Sequence, residues 1–299
     1  MRSLRTIVSM LAASLGLAIA PAGCRDSSIE PVAAPAPSAS PPALVLTVVG
    51  TNDLHGHIEA LPNLGGYLDI LRDQGPVLLV DGGDLFQGTL VSNLGEGAAV
   101  IAGYNALGYA AAAVGNHEFD FGPQGAKVVP AGPDDDPRGA LLARAAEADF
   151  PLLVANLRRR SGKAVRFPPA TMVEVDSISV GIVGVTTIEA LETTIAANVT
   201  DLEVEPLAAA IDRHARDLRR RGAQVVVVVA HAGAACRAFD APDDRSSCDD
   251  GEIFQVAEAL EPGLVDVIVG GHTHQAVAHR VGRTAIVESY AKGAAFWRV

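Results

Sequence analysis

The chain has 299 residues, 49% of them hydrophobic, which supports a sizeable core in one large domain or two small ones and excludes a disordered chain. Its formal net charge of -12 repels nucleic acid and anionic lipid at long range, so no nucleic-acid polymer is expected as a partner. A local cationic metal site could still bind phosphate.

Arg2 and Arg5 open a leader whose apolar stretch, Thr6 to Ala20, is too short for a comfortable membrane span. Pro21-Ala22-Gly23-Cys24 resembles a bacterial lipobox, with Pro21 where an aliphatic residue is usual. The expectation is a lipoprotein signal over residues 1–23 with Cys24 acylated; a cleaved soluble form or an uncleaved anchor are the alternatives. Residues 24–42, rich in Pro, Ala and Ser, read as an extended tether. The globular domain is then 43–299, exported to the periplasm or cell surface of a bacterium and touching membrane only through the lipid.

Leu44 to Val49 reads as a first buried strand, leading through Gly50 and Thr51 into Asn52-Asp53-Leu54-His55-Gly56. Leu64 to Arg72 has helical apolar spacing. Strand Val77 to Val80 runs into Asp81-Gly82-Gly83-Asp84, and Leu85 to Glu96 reads as a loop over that end. A helix from Ala98 to Leu107 and a strand from Tyr109 to Val114 follow, the strand stopping at Gly115-Asn116-His117-Glu118-Phe119-Asp120. The order β-α-β-α-β is that of a layered α/β fold.

Beyond an acidic loop, Pro130 to Arg138, come a helix, Ala140 to Ala148, and a buried strand, Pro151 to Ala155. Val173 to Val175 and Ile178 to Val185 pair around a hairpin turn at Asp176-Ser177, and Pro206 to Arg221 is an amphipathic helix with a basic end suited to the helix dipole. Two more buried runs end in polar chemistry: Val225 to Val229 leads into Ala230-His231, and Val265 to Val269 into Gly270-Gly271-His272-Thr273-His274. Cys236 and Cys248 lie in an Asp-rich stretch before a helix from Glu252 to Leu260. In an oxidising compartment they are expected to close a loop as a disulfide, with a zinc site as the poorer alternative for want of a nearby histidine pair.

Five buried strands thus end in possible ligands, and in open α/β sheets such carboxyl ends converge on one crevice. Asp53, His55, Asp84, Asn116, His231, His272 and His274 supply carboxylate, amide and imidazole donors without a thiolate. That set suits two divalent ions of borderline hardness, Zn, Mn, Co or Fe, better than a structural zinc or a calcium cage. In an extended segment residues two apart point the same way, so Asp53 with His55, and His272 with His274, are each expected to address a common centre. His57, His214 and His279 read as solvated or structural histidines, and Glu118 as a supporting residue at most.

These blocks, in this order, resemble the calcineurin-like metallophosphoesterase superfamily, and Thr51-Asn52-Asp53-Leu54-His55-Gly56 with Asn116-His117-Glu118-Phe119-Asp120 resembles its 5'-nucleotidase branch. The resemblance spans about Leu44 to Gly293. It implies a four-layer α/β/β/α sandwich with the metals at strand carboxyl ends. It further implies that Asp53, His55 and His274 bind one metal, that Asn116, His231 and His272 bind the other, and that Asp84 bridges them. Many relatives carry glutamine where His274 stands. His117 with Asp120 would be the catalytic dyad, acting beside a metal-activated hydroxide on a small phosphate ester, a nucleoside 5'-monophosphate or related nucleotide. Family nucleotidases continue into a base-clamping domain that is not expected within residues 43–299. A hydrolase of cyclic phosphodiesters, nucleotide sugars or sulfur esters, or a non-catalytic metal-binding module, are the competing functions.

Overall fold

The structure, a computed structural model, describes residues 45–299. The leader, Cys24 and the tether expected over 24–42 lie outside the described residues.

The first half of the domain alternates strands with helices: β1 (Thr47–Thr51), α1 (Leu61–Arg72), β2 (Val77–Asp81), the short α2 (Leu90–Leu94), α3 (Ala98–Leu107), β3 (Ala111–Ala113), α4 (Gly139–Glu147) and β4 (Leu152–Leu153). The four strands pair in parallel, which requires the long helical crossovers found between them. The second half contributes β5 (Leu157–Arg159), β6 (Ala170–Val175), β7 (Ile178–Thr186), β8 (Leu202–Val204), α5 (Leu207–Arg220), β9 (Val225–His231), α6 (Glu252–Ala259), β10 (Val267–Val269), β11 (Ala276–Val281), β12 (Thr284–Ser289) and β13 (Trp297–Arg298). A second sheet runs β11-β12-β10-β9-β7-β6, while β13 closes the first sheet antiparallel to β1 and β5 pairs with β8.

Side-chain alternation explains the layering. Leu79 packs outward with Leu64 and Leu68 of α1 and Ile101 of α3. Its neighbours Leu78 and Val80 face the other way, meeting Val180, Ile182, Val227 and Val229 of the second sheet. Val226 and Val228 of β9 turn outward again onto Leu207, Ile211 and Leu218 of α5 and Phe254 of α6. A strand buried on both faces reads as a continuous apolar run, which is why Val225 to Val229 carries no polar alternation. The outcome is the α/β/β/α arrangement expected.

The two sheets are in contact where they carry chemistry. A Cβ on Gly82 would lie 2.5 Å from the carbonyl oxygen of Gly270, so only glycine lets the turn after β2 meet the turn after β10.

Several boundaries differ from the sequence reading. The first strand begins at Thr47 and extends to Thr51, and the Leu85 to Glu96 segment contains α2, its amino end capped by the Thr89 hydroxyl accepting from the Ser92 N–H at 3.3 Å. Hydrophobicity alone gave no start signal for so short a helix, whose Leu90, Val91 and Leu94 are exposed. Cys236 and Cys248 are joined by a disulfide at 2.05 Å between β9 and α6.

Asp81, at the end of β2, is fully buried. Its Oδ2 accepts from the Thr51 hydroxyl at 2.6 Å and the Tyr104 hydroxyl at 2.9 Å, and its Oδ1 from the Gly83 N–H at 2.7 Å. Burial raises its pKa to about 6, outweighing those hydrogen bonds. A raised folded-state pKa means that the folded protein holds the proton more tightly than the unfolded chain, so this group's contribution is fully present below the ordinary value of 3.8 and is lost as pH rises through about 6. The stability difference between wild type and Asp81→Asn, measured by urea unfolding, should therefore move in favour of the variant across that window and level off above it. A pH-independent difference would show that the carboxyl does not titrate in the fold.

Candidate metal centre

The strand ends bring the candidate donors together at one end of the two sheets. Asp53 and His55 follow β1, Asp84 follows β2, Asn116 and His117 follow β3, His231 ends β9, and His272 and His274 follow β10. Asp53, His55, Asp84, His272 and His274 all have positive φ, at 50°, 49°, 57°, 80° and 57°. Non-glycine residues rarely occupy that region, so the fold holds strained backbone at these turns in order to aim their side chains.

Two groups of donors result. The ligand atoms of Asp53, His55 and His274 lie within 4.8 Å of one another, as do those of Asp84, His231 and His272. In the first group, His55 Nε2 and His274 Nε2 are 2.9 Å apart, and Asp53 Oδ1 faces them at 3.8 and 3.4 Å. In the second, His231 Nε2 and His272 Nδ1 approach Asn116 Oδ1 at 2.9 and 3.1 Å. Asp84 Oδ2 sits between the groups, 3.2 Å from His231 Nε2 and 3.8 Å from His55 Nε2. One expectation is corrected here. His272 and His274 do not address a common centre, because the left-handed turn that carries them is not extended and sends one imidazole to each group.

Backbone groups orient the donors. His55 Nδ1 donates to the Gln87 carbonyl at 2.8 Å and His231 Nδ1 to the Gly82 carbonyl at 3.0 Å, leaving both Nε2 atoms facing inward. The Asn116 amide donates to the Thr193 carbonyl at 3.0 Å, which turns its oxygen toward the histidines. Asp53 Oδ2 accepts from the Asn52 side chain at 2.7 Å and the His272 N–H at 2.9 Å, while Oδ1 is buried with no hydrogen-bond partner.

An orphaned carboxylate oxygen amid imidazole nitrogens is costly unless a cation completes it, so the donor set fits a metal. The electrostatics agree. Burial lowers the pKa of His55 and of His272, favouring the neutral imidazoles that ligate. Burial alone would push Asp84 up and His231 down, yet their mutual attraction wins: Asp84 is held below the usual carboxylate range and His231 above the usual imidazole range. The pocket thus draws positive charge onto His231, the charge a bound cation would supply.

His117 lies beside the first group, its ring 5.3 Å from that of His55. Its Nδ1 contacts Asp120 Oδ2 at 2.6 Å, a hydrogen bond that raises its pKa, and its backbone N–H donates to Asp84 Oδ1 at 2.9 Å. Asp120 Oδ1 accepts in turn from the Thr194 hydroxyl at 2.8 Å, a partner 74 residues away that no local motif could announce.

Two buried glutamates support the ligand turns, Glu118, for which the sequence allowed such a role, and Glu288, to which it gave none. Glu118 accepts from the N–H groups of Leu85 at 2.7 Å, Gly115 at 2.7 Å and Asp84 at 3.1 Å, tying the Asp84 turn to the Asn116 turn. Glu288 accepts from the hydroxyl of Thr273 at 2.6 Å and fixes the turn between His272 and His274. Burial raises the Glu118 pKa to about 7 and that of Glu288 to about 8. Of the remaining histidines, His57 pairs with Glu59 at the surface, and His279 is buried away from the centre.

Comparison with known proteins places this arrangement. The chain is 27% identical over 248 residues to Protein UshA of Yersinia enterocolitica, covering 78% of this chain, and 32% identical over 251 residues to a snake venom 5'-nucleotidase of Gloydius brevicauda, covering 77%. It spans only 41% and 37% of the length of these two relatives. Among solved structures, the 5'-nucleotidase precursor of Thermus thermophilus superposes with a TM-score of 0.64 at 25% identity, covering 84% of this chain and 50% of that one. The calcineurin-like phosphoesterase YfkN of Bacillus subtilis shares the fold, with a TM-score of 0.65 at 20% identity over 85% of this chain and 83% of that one. Residues 46–276, which include every donor described above, match the family described as calcineurin-like phosphoesterase, and the chain belongs to that family.

Proposed function

We propose that this metallophosphoesterase hydrolyses nucleoside 5'-monophosphates or closely related nucleotides at a dinuclear centre. Asp53, His55 and His274 hold one divalent cation, Asn116, His231 and His272 the other, and Asp84 both; Zn, Mn, Co and Fe are the ions this donor chemistry suits. The observation that carries the reading is the position of Asp84 Oδ2 between the two donor groups, with the His117–Asp120 pair alongside.

When bound, such a pair of cations supplies Lewis-acid polarisation of phosphoryl oxygens and a water acidic enough to react near neutral pH. The chain's own residues do the rest. The Asp120 carboxylate accepts the Nδ1–H of His117 and favours its imidazolium, whose Nε2–H is the proton that the departing alkoxide needs, and Thr194 holds Asp120. Support for a nucleotide comes from the relatives named 5'-nucleotidase, which this chain matches over part of their length.

The test is phosphate release by purified protein from a panel of nucleoside monophosphates, cyclic nucleotides, nucleotide sugars and sulfur esters, with and without chelator. Nucleoside monophosphates should be turned over, activity should vanish with chelator and return with a divalent cation. Metal-loaded protein that hydrolyses no ester would instead be a binding module.

For location, the proposal is an exported enzyme tethered through acylated Cys24. One relative, 25% identical over 281 residues, is a cell wall protein of Listeria monocytogenes, and among the described residues no helix is long and apolar enough to cross a membrane. Mass spectrometry of the mature N-terminus should find an acylated Cys24; an unmodified terminus, or one at another residue, would leave a plainly exported enzyme.

A further inference from the structure

Away from the strand ends, the sulfurs of Cys236 and Cys248 and a ring nitrogen of His279 lie within 4.8 Å of one another. His279, on β11, is 2% exposed. Its Nε2 donates to the Ala238 carbonyl at 2.9 Å, and its Nδ1 is buried without a hydrogen-bond partner. As at His55, one ring nitrogen is fixed on a backbone carbonyl, which leaves the other free of the backbone. A buried nitrogen with nothing to bind is costly, and a disulfide sulfur is too weak a partner to offset that cost.

We propose that Cys236, Cys248 and His279 form a separate, redox-gated cation site, closed while the cysteines are a disulfide and open, once they are reduced, to one thiophilic divalent cation of the zinc class. A dithiol donor cleaves the Sγ–Sγ bond by passing two electrons and two protons, yielding two thiols as it closes its own disulfide. The cation then displaces both thiol protons, and the two thiolates and Nδ1 of His279 become three ligands, with water free to complete a tetrahedron. Access exists. Cys248 is partly exposed, and both cysteines line an open cavity of about 460 Å³ together with Arg237, Ser246 and Gln275. The backbone bridge between Cys236 and Cys248 keeps the two residues opposed when the covalent bond is broken.

Cobalt reports this site independently of the dinuclear centre, because a thiolate-to-cobalt charge-transfer band needs sulfur and the Asp, Asn and His donors at the strand ends contain none. Full-length protein, untreated or reduced with a phosphine, is titrated with Co²⁺. The band should appear only after reduction, saturate at one equivalent beyond the cobalt taken by oxidised protein, and bleach on adding Zn²⁺. In reduced His279→Gln the same band should require cobalt concentrations higher by about tenfold or more. Nitrogen NMR of histidine-labelled, reduced wild type provides the same answer without a variant, through a shift of Nδ1 of His279 on adding Zn²⁺. A reduced wild type without the band, a His279→Gln protein binding with wild-type affinity, or an unmoved Nδ1 would each overturn the proposal.

Discussion

Asp84→Ala should abolish phosphate-ester hydrolysis and lower the content of bound divalent metal. The expectation follows from what each oxygen of Asp84 does. Oδ2 stands 3.2 Å from His231 Nε2 and 3.8 Å from His55 Nε2, at the seam between the two donor groups, and Oδ1 accepts the His117 N–H at 2.9 Å. Alanine therefore removes the one anionic oxygen common to both groups, and in the proposed dinuclear centre it would leave less negative charge to offset the two cations. It also frees the His117 backbone, so a loss of activity alone would not isolate the electrostatic role. Asp84→Asn separates the two, because its side-chain oxygen can still accept from the His117 N–H while the charge is gone. Metal content measured after gel filtration should fall in both variants. If either retained wild-type metal, Asp84 would not be the shared ligand, and the assignment of the two donor groups to two cations would have to be redrawn.

Much of this site could be read before any coordinates, for a physical reason. Asp84, His231 and His272 each lie at or just past the end of a run of buried residues, and the carboxyl ends of neighbouring strands are where such a sheet opens a crevice. The central strands of the second sheet were legible because β-branched residues dominate them, Val225 to Val229 above all. What stayed hidden is what depends on contacts between distant segments or on backbone conformation. Spacing alone placed His272 and His274 on one centre although the resemblance assigned them to two, and only the turn that carries them, with φ values of 80° and 57°, shows which group each imidazole joins. The sequence allowed Glu118 a supporting role and gave none to Glu288 or Asp81, yet the fold buries all three and uses them to tie turns together. Thr194 and the free nitrogen of His279 become visible only when residues far apart in the chain are brought together. The short α2 was missed because its signal is one capping threonine rather than an apolar face.

His117→Ala should behave differently in kind from the Asp84 variants, keeping the metal while losing turnover by about two to four orders of magnitude, the range for removal of a general acid. His117 reaches the site through its ring, whose centroid is 5.3 Å from that of His55, and it belongs to neither donor group. Its Nδ1 is committed to Asp120, which is itself held by Thr194, so the pair is braced to present Nε2 with its proton. Alanine deletes that proton source but retains the backbone N–H that Asp84 Oδ1 accepts, so the donor groups keep their support. The defect should shrink with esters whose leaving groups are acidic enough to depart unprotonated, such as aryl phosphates, and should be largest with nucleoside monophosphates, whose alkoxide needs the proton. Asp120→Asn should show the same pattern in milder form, because it disturbs the imidazole without removing it. A His117→Ala protein that lost its metal would place this histidine among the ligands, and one equally impaired on both kinds of ester would remove it from leaving-group protonation.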